Sequence, residues 1–180
     1  MVYVLLGTGF EETEAIVPVD LLRRAGVRVL TVGIGDKIIS GSHNISVVAD
    51  ITMEEMDFTQ MEMLVLPGGL GGVASISASE QALNAVRFAN ENNKFIGAIC
   101  AAPTILASLG ITDGKNATCY PGCEEKMGSA IMAENAACIR HGKIITGTSA
   151  GCATTFGLAL IAALKGEEEK QRIQGQIVIR

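Results

Sequence analysis

The sequence predicts an α/β fold in which a mainly parallel sheet is flanked by helices. Short apolar runs rich in β-branched residues alternate along the chain with longer segments of helical periodicity. Some of these runs, such as residues 63–66, are apolar at every position, which is typical of strands buried on both faces. No linker, repeat or low-complexity segment interrupts the alternation, so residues 1–180 are expected to form a single domain.

The first part of the chain supplies two strands, a helix and a hairpin. Residues 3–6 and 27–32 are β-rich apolar runs and predict the first two strands. Residues 11–25 place apolar side chains three or four positions apart and end at a glycine suited to a left-handed cap, so they predict a helix. Residues 37–39 and 46–50 predict a hairpin around a Gly-Ser-His-Asn turn, and we expect this hairpin to extend one edge of the sheet.

The rest of the chain continues the alternation. The buried strand at 63–66 runs into a glycine-rich loop, and an amphipathic helix follows at 79–92. The strand at 95–99 is followed directly by a helix that begins just after Cys100 and ends at Leu109-Gly110. Further predicted elements are short strands at 117–119, 137–140 and 143–146, one helical turn at 124–127 and a final helix at about 152–164.

Composition and charge exclude several classes of function. The net charge of −5 is dispersed and no basic stripe is present, so nucleic acid is not an expected partner. No apolar run approaches the roughly 18 residues that a membrane-spanning helix needs, and the chain begins without the features of a secretory signal. Five irregularly spaced cysteines fit a reducing compartment better than a disulfide framework. We therefore expect a soluble cytoplasmic protein that has no membrane partner.

Three loops at one edge of the predicted sheet have unusual sequences. Ligands of open parallel sheets bind beyond the carboxyl ends of the strands, and these loops, at 7–14, 67–72 and 100–102, all follow strands at that edge. The glycine-rich loop lacks the Lys and Ser/Thr of a phosphate-binding loop, and Glu12 stands where the dinucleotide fingerprint needs its third glycine. A nucleotide cofactor is therefore not expected.

Cys100 occupies the turn between a strand and a helix, where a nucleophile elbow presents its side chain to a cleft. Small residues follow it, and Pro103 suits the first turn of the next helix. A thiol beside a helix N-terminus is expected to have a lowered pKa, which favours the reactive thiolate. The alternative is that Cys100 is a small buried residue at a tight turn, which is the commoner role of a free cysteine.

Few other side chains are obvious partners for this thiol. Glu14 lies one turn inside the first helix, where it either complements the helix dipole or, with a pKa raised by burial, moves a proton at the cysteine. His43 and His141 both lie in polar stretches typical of surface turns, so no Cys–His pair is evident. Cys119 and Cys123 have a C-x3-C spacing but lack a second ligand pair, so no metal site is predicted.

Several motifs together resemble the ThiJ/PfpI superfamily. They are GFEETEAIVPVDLLRRAG at 9–26, LPGG at 66–69, AICAAP at 98–103 and a T-x7-F-x-L-A-L stretch that ends at Leu160. The first segment is most similar to the branch of the parkinsonism-associated protein deglycase and its bacterial relatives. The resemblance extends in order over nearly the whole chain.

The resemblance implies a flavodoxin-like three-layer sandwich, a homodimer and a site that needs no cofactor. Cys100 matches the oxidisable nucleophilic cysteine of the family, and Glu14 matches the protonated glutamate that hydrogen-bonds it. Gly69 and Ala101 match the amides of the oxyanion pocket, and Gly68 belongs to the same loop. The implied activities are glyoxalase and deglycase chemistry on small α-oxoaldehydes and their adducts, oxidative-stress sensing, chaperone activity and, in other branches, peptidase or amidase activity.

The chain departs from the family pattern at three positions near the expected pocket. Tyr120 stands where the branch usually has histidine, and a phenol is a poor base at neutral pH. His43 replaces an arginine that is common in the hairpin. The last loop, which begins at Thr148, lacks the usual arginine and Gly-Pro-Gly, so fixed positive charge is absent there.

Two hypotheses from different classes follow from these residues. In the first, the Cys100 thiolate adds to the aldehyde carbon of a small α-oxoaldehyde, Glu14 moves protons, and the amides of Gly69 and Ala101 hold the oxyanion. In the second, the same cysteine is an oxidation sensor or part of a chaperone and turns over no substrate. A peptidase or amidase is a third reading that lacks an evident base.

Overall fold

The central sheet has seven strands, six of them parallel, in the computed structural model, which describes residues 1–133 and 135–179. In chain order the strands are β1 (Val2–Leu6), β2 (Val29–Gly33), β3 (Ile38–Ser40), β4 (Ser46–Val48), β5 (Ile51–Thr52), β6 (Met63–Leu66), β7 (Phe95–Ile99), β8 (Asn116–Ala117), β9 (Ile131–Met132), β10 (Cys138–His141) and β11 (Ile144–Gly147). The order across the sheet is β10-β11-β7-β6-β1-β2-β5, with β10 antiparallel to β11. The predicted α/β class is confirmed.

Helices cover both faces of this sheet. They are α1 (Glu12–Arg24), α2 (Leu70–Ala78), α3 (Glu80–Glu91), α4 (Pro103–Ser108), α5 (Ala153–Lys165) and α6 (Glu167–Gln176). Strand β1 shows why two layers are needed, because Tyr3 and Leu5 enter one buried apolar cluster while Val4 and Leu6 enter another. The first cluster is covered by α2, α3 and α4 and the second by α1, α5 and α6. None of the described helices is long and apolar enough to cross a membrane.

The predicted hairpin forms, but the expectation that it extends the sheet is wrong. β3 and β4 make a separate two-stranded sheet, and the edge next to β2 is the short strand β5. The hairpin instead crosses the loop after β1, where the Gly9 amide donates to the Ser40 carbonyl at 2.8 Å and the Ser42 amide to the Phe10 carbonyl at 2.8 Å. Its backbone groups are thus paired with that loop rather than with a sheet edge.

The observed elements differ from the predicted ones at α2 and at the short strands β8 and β9. The glycine-rich loop after β6 continues directly into α2, a helix that the low helix propensity of its glycines concealed. A Cβ at Gly72 would lie 2.7 Å from the Phe10 Cα, so this glycine allows α2 to approach the loop after β1. The strand predicted at 117–119 is limited to β8, which pairs with the unpredicted β9 away from the main sheet.

Candidate active site

The loops predicted to carry function meet at the carboxyl edge of the sheet. β7, β6 and β1 are neighbours in the sheet, so the segments that follow them lie side by side. Cys100 follows β7, Gly68 and Gly69 follow β6, and Glu14 lies at the start of α1 after β1. The Glu11 amide donates to the Gly68 carbonyl at 3.0 Å, which ties two of these loops together.

Cys100 has a strained backbone that its neighbours hold in place. Its φ of +66° lies in the left-handed region, which costs a non-glycine residue about 1–2 kcal/mol. The Cys100 amide donates to the Gly147 carbonyl at 2.9 Å, and its carbonyl accepts from the Tyr120 amide at 2.8 Å. Strain of this kind at a strand-to-helix turn is the geometry of a nucleophile elbow.

Glu14 is buried beside this cysteine. Its side chain is 1% exposed, and its Oε2 accepts a hydrogen bond from the Gly68 amide at 2.8 Å. Its Oε1 is buried and has no hydrogen-bond partner among the described residues. A Cβ at Gly68 would lie 2.6 Å from the Cys100 Cβ and would collide with the Glu14 carboxylate, so the approach of these two side chains requires glycine there.

The two acidic groups titrate as a pair. Burial raises the pKa of Glu14 to about 7, although hydrogen bonds from Cys100 and Gly68 act in the opposite direction. Burial and the Glu14 carboxylate raise the pKa of Cys100 to about 12, although the amides of Ala101 and Gly69 hydrogen-bond the sulfur and favour the thiolate. Two anions at such close range repel each other strongly. Between about pH 7 and pH 12 the pair therefore holds one proton.

The pKa of the Cys100 thiol is raised, whereas the sequence predicts a lowered pKa. α4 has only six residues and begins at Pro103, so its dipole acts on the sulfur weakly. Burial and a neighbouring carboxylate outweigh the two amides. Thiolate therefore forms at neutral pH only when Glu14 takes the proton.

A cavity of about 560 Å³ opens above Cys100. It is lined by Glu11, Glu14, His43, Gly69, Leu70, Cys100, Ala101, Tyr120, Cys123, Ser149, Ala150 and Gly151. Of the predicted site residues, Cys100, Glu14, Gly69, Ala101, Tyr120 and His43 all meet here. Gly68 does not line the cavity, but its amide hydrogen-bonds Glu14. Thr148 lies outside this cavity and lines another one of about 580 Å³. The sequence assigns no role in this cavity to Leu70, which lies in the glycine-rich loop, or to Cys123, which it considers only as a metal ligand.

His43 is held by Glu12 at the side of this cavity. Its amide donates to Glu12 Oε1 at 2.7 Å, and its Nδ1 lies 3.0 Å from Glu12 Oε2. The hydrogen bond to Glu12 and the carboxylates of Glu11 and Glu12 raise the pKa of His43. Burial acts to raise the pKa of Glu12, but hydrogen bonds from the side chain and backbone of His43 lower it to about 2.

The same three side chains are the one group among the described residues with metal-ligand atoms clustered within 4.8 Å. The Glu12 oxygens and the His43 Nδ1 already satisfy each other, as the hydrogen bonds above show. The Ser42 hydroxyl adds bonds to Glu11 at 3.0 Å and to Glu12 at 3.1 Å. The group is therefore a closed hydrogen-bonded cluster rather than an open set of ligands.

Known proteins share this fold and are about 30% identical in sequence. A model of the DJ-1/PfpI family matches residues 1–163. Protein dj-1beta of Drosophila melanogaster is 31% identical over 178 residues, which cover 98% of this chain and 95% of the relative. The crystal structure of that fly protein superposes with a TM-score of 0.93 at 30% identity, covering 99% of this chain and 97% of the other.

Two further relatives come from other organisms. The Parkinson disease protein 7 homolog of Danio rerio is 30% identical and covers 98% of this chain and 96% of its own. A protein of Pyrococcus abyssi named as a deglycase is 32% identical over 126 residues, which cover 70% of this chain and 75% of that relative. The family model and the full-length relatives together show that the chain belongs to the DJ-1/PfpI family.

Proposed function

We propose that the protein converts small α-oxoaldehydes into 2-hydroxy acids with Cys100 as the nucleophile and without a cofactor. The observation that carries this proposal is the Cys100–Glu14 pair, which holds a single proton once the pH rises above about 7, beside two backbone amides. The cavity above it has the size of a small-molecule site rather than of an extended groove.

In the first step, the Cys100 sulfur bonds to the aldehyde carbon as its proton passes to the Glu14 carboxylate. The carbonyl π bond breaks, and the amides of Gly69 and Ala101, which already point at the sulfur, stabilise the negative oxygen. Glu14 then returns the proton to that oxygen, which gives a neutral hemithioacetal and regenerates the carboxylate.

In the second stage, a proton moves from the former aldehyde carbon to the neighbouring carbon. The Glu14 carboxylate removes the hydrogen, an enediol forms, and reprotonation at the next carbon gives a thioester of a 2-hydroxy acid. Water hydrolyses the thioester, which releases the hydroxy acid and the free thiol. The overall change is the addition of one water to the oxoaldehyde, so no external oxidant or reductant is needed.

The name of the Pyrococcus abyssi relative supports chemistry of this kind, since a deglycase acts on adducts of the same class of aldehydes. The alternatives have less support from the site. An oxidation sensor needs a standing thiolate, whereas burial raises the pKa of the Cys100 thiol. A peptidase or amidase needs room for chain on both sides of the scissile bond, which a cavity of about 560 Å³ does not offer.

The purified protein is expected to produce lactate from methylglyoxal, with one lactate for each methylglyoxal consumed. A metal chelator in the assay should leave the rate unchanged, because the proposed steps use only side chains and amides of the chain. The product is measured enzymatically and by NMR. Consumption of methylglyoxal without lactate would reject the proposal, because it would indicate simple trapping of the aldehyde by the thiol.

We further propose that the protein assembles as a homodimer through the β3–β4 hairpin. Ile38 and Val48 are cross-strand partners on one face of this hairpin, and they are 62% and 67% exposed, whereas Ile39 on the other face is buried in the core. Val48→Glu is expected to weaken dimerisation at least about tenfold, because it places an unpaired charge in the interface. Light scattering across a dilution series measures this, with Ile131→Glu as the matched control at an exposed apolar residue elsewhere.

A further inference from the structure

We propose that His43, positioned by Glu12, is the general acid of this site and protonates the ketone oxygen of the substrate as the enediol forms. This inference rests on the function proposed above and adds to it the residue that neutralises the second oxygen. Cys100 and the two amides act at the aldehyde carbon, and Glu14 carries the hydrogen that moves between the two carbons, so the oxygen of the neighbouring carbon still needs a proton donor.

The first observation is that Glu12 holds His43 by two hydrogen bonds and the preceding residue, Ser42, by a third. The carboxylate bonds the histidine amide at 2.7 Å, the imidazole Nδ1 at 3.0 Å and the Ser42 hydroxyl at 3.1 Å. Glu12 is itself 7% exposed, so it is a buried anchor rather than a surface partner. A carboxylate that engages one ring nitrogen fixes the orientation of an imidazole and stabilises its protonated form.

The second observation is the place of the imidazole. His43 lines the same cavity as Cys100, and its side chain is 69% exposed, so the ring is open to a molecule bound there. Nδ1 is used by Glu12 and Ser42, whereas Nε2 has no hydrogen-bond partner within residues 1–133 and 135–179. The free ring nitrogen is therefore the one available to a substrate.

The third observation is the charge around the ring. The groups near His43 are Glu11, which precedes α1, Glu12 in its first turn and, in the lining of the same cavity, Glu14, Cys100 and Tyr120. The two nearest are carboxylates, which favour the imidazolium. Tyr120 is the competing proton donor, but among the described residues no carboxylate is hydrogen-bonded to its phenol, whereas Glu12 bonds the His43 ring at 3.0 Å.

The Glu14 carboxylate removes the hydrogen from the hemithioacetal carbon, and the electron pair of that C–H bond forms the carbon–carbon double bond of the enediol. The ketone π electrons move to oxygen, which takes the proton from His43 Nε2 and leaves a neutral imidazole. When Glu14 delivers its proton to the second carbon, the hydroxyl at the thioester carbon returns a proton to His43, so the imidazolium is restored.

The test compares three variants in the methylglyoxal assay over a range of pH. His43→Gln is expected to lower kcat about 10²-fold or more with little change in KM, because the lost interaction forms only in the transition state. The wild type should lose activity at high pH as the imidazolium deprotonates, and this alkaline limb should be absent in His43→Arg, whose guanidinium keeps its charge but gives up no proton. Glu12→Gln should move the limb to lower pH.

Two readouts separate a catalytic role from a structural one. Proton NMR of the imidazole should show the titration of His43 above its ordinary value in the wild type and closer to that value in Glu12→Gln. His141→Gln, at an exposed histidine on the edge strand β10, is the matched control and should retain wild-type rates. Thermal melting checks that each variant is folded.

The assays distinguish failure of the His43 role from failure of the proposed function. If the wild type forms lactate in a Cys100-dependent reaction but His43→Gln keeps its rate within about twofold at every pH, this inference is overturned and the proposed function stands. A large loss in Tyr120→Phe, with His43→Gln unaffected, would also overturn it and assign the acid to the phenol. If the wild type forms no lactate, the proposed function fails and this inference fails with it.

Discussion

Cys100→Ser is expected to reduce lactate formation from methylglyoxal by about 10³-fold or more. A serine hydroxyl is a much weaker nucleophile than a thiol, and the buried base Glu14 is too weak to ionise it. The substitution replaces only the sulfur by a smaller oxygen and leaves the backbone bonds of residue 100 to Gly147 and Tyr120 in place. The fold should therefore persist while the chemistry is lost.

The matched control for this variant is Cys152→Ser. Cys152 lies outside the cavity of Cys100, at the N-cap of α5, a position that serine also favours. Intact-mass spectrometry after rapid mixing with methylglyoxal should detect a covalent adduct on the wild type and on Cys152→Ser, and none on Cys100→Ser. Equal rates for the wild type and Cys100→Ser would sink the proposed mechanism.

The position of the nucleophile could be predicted from the sequence because it depends on local order. The turn at the carboxyl edge of the parallel sheet is specified by residues 95–103. They are an apolar strand followed by a cysteine, two alanines and a proline. Gly68 and Gly69 follow the adjacent strand β6 and meet the cysteine for the same reason. The sheet order places β6 and β7 side by side, so their loops converge without any long-range information.

The contact between His43 and Glu12 could not be predicted from the sequence. The polar neighbours of His43 indicate a surface turn, and the turn is indeed exposed, but its partner Glu12 lies 31 residues earlier in the chain. The contact exists because the hairpin folds over the loop after β1 instead of continuing the sheet. A sequence pattern specifies the pairing of β3 with β4, but the surface on which the finished hairpin rests depends on packing.

The charge state of the thiol could not be predicted for a related reason. A cysteine before a helix indicates a lowered pKa, and this local effect acts through the Ala101 amide. The opposing effects are burial and the neighbouring Glu14, which reaches the sulfur only because Gly68 leaves room for both side chains. These are tertiary contacts, and together they raise the pKa of Cys100, which the local sequence alone would lower.

Glu14→Gln is expected to lower kcat/KM by about 10²- to 10⁴-fold and at the same time to stabilise the folded protein at neutral and higher pH. The activity falls because the amide can neither accept the Cys100 proton nor remove the hydrogen in the second stage. The shape of the side chain is kept, and its oxygen can still accept the hydrogen bond from the Gly68 amide. The loss should persist at every pH, whereas the wild type should gain activity as the pH rises through about 7.

The stability effect follows from the direction of the pKa shift of Glu14, from an ordinary 4.5 to about 7 in the folded state. Between these values the folded protein retains a proton that the unfolded chain has released, so this group makes the free energy of unfolding fall as the pH rises. The full difference corresponds to about 3 kcal/mol, reached above pH 7 and absent below pH 4.5. Glutamine cannot ionise and avoids this cost.

Denaturant unfolding of the wild type and Glu14→Gln at pH 4.5 and at pH 8 measures the effect. The variant should gain stability relative to the wild type between the two conditions, and other titrating groups cancel in the comparison. Glu91→Gln, at an exposed glutamate that ends α3, is the matched control and should show no such gain. A pH-independent difference between wild type and Glu14→Gln would contradict the raised pKa, and with it the one-proton pair on which the proposed chemistry depends. A site that keeps a carboxyl buried for catalysis thus gives up stability at the pH where it works.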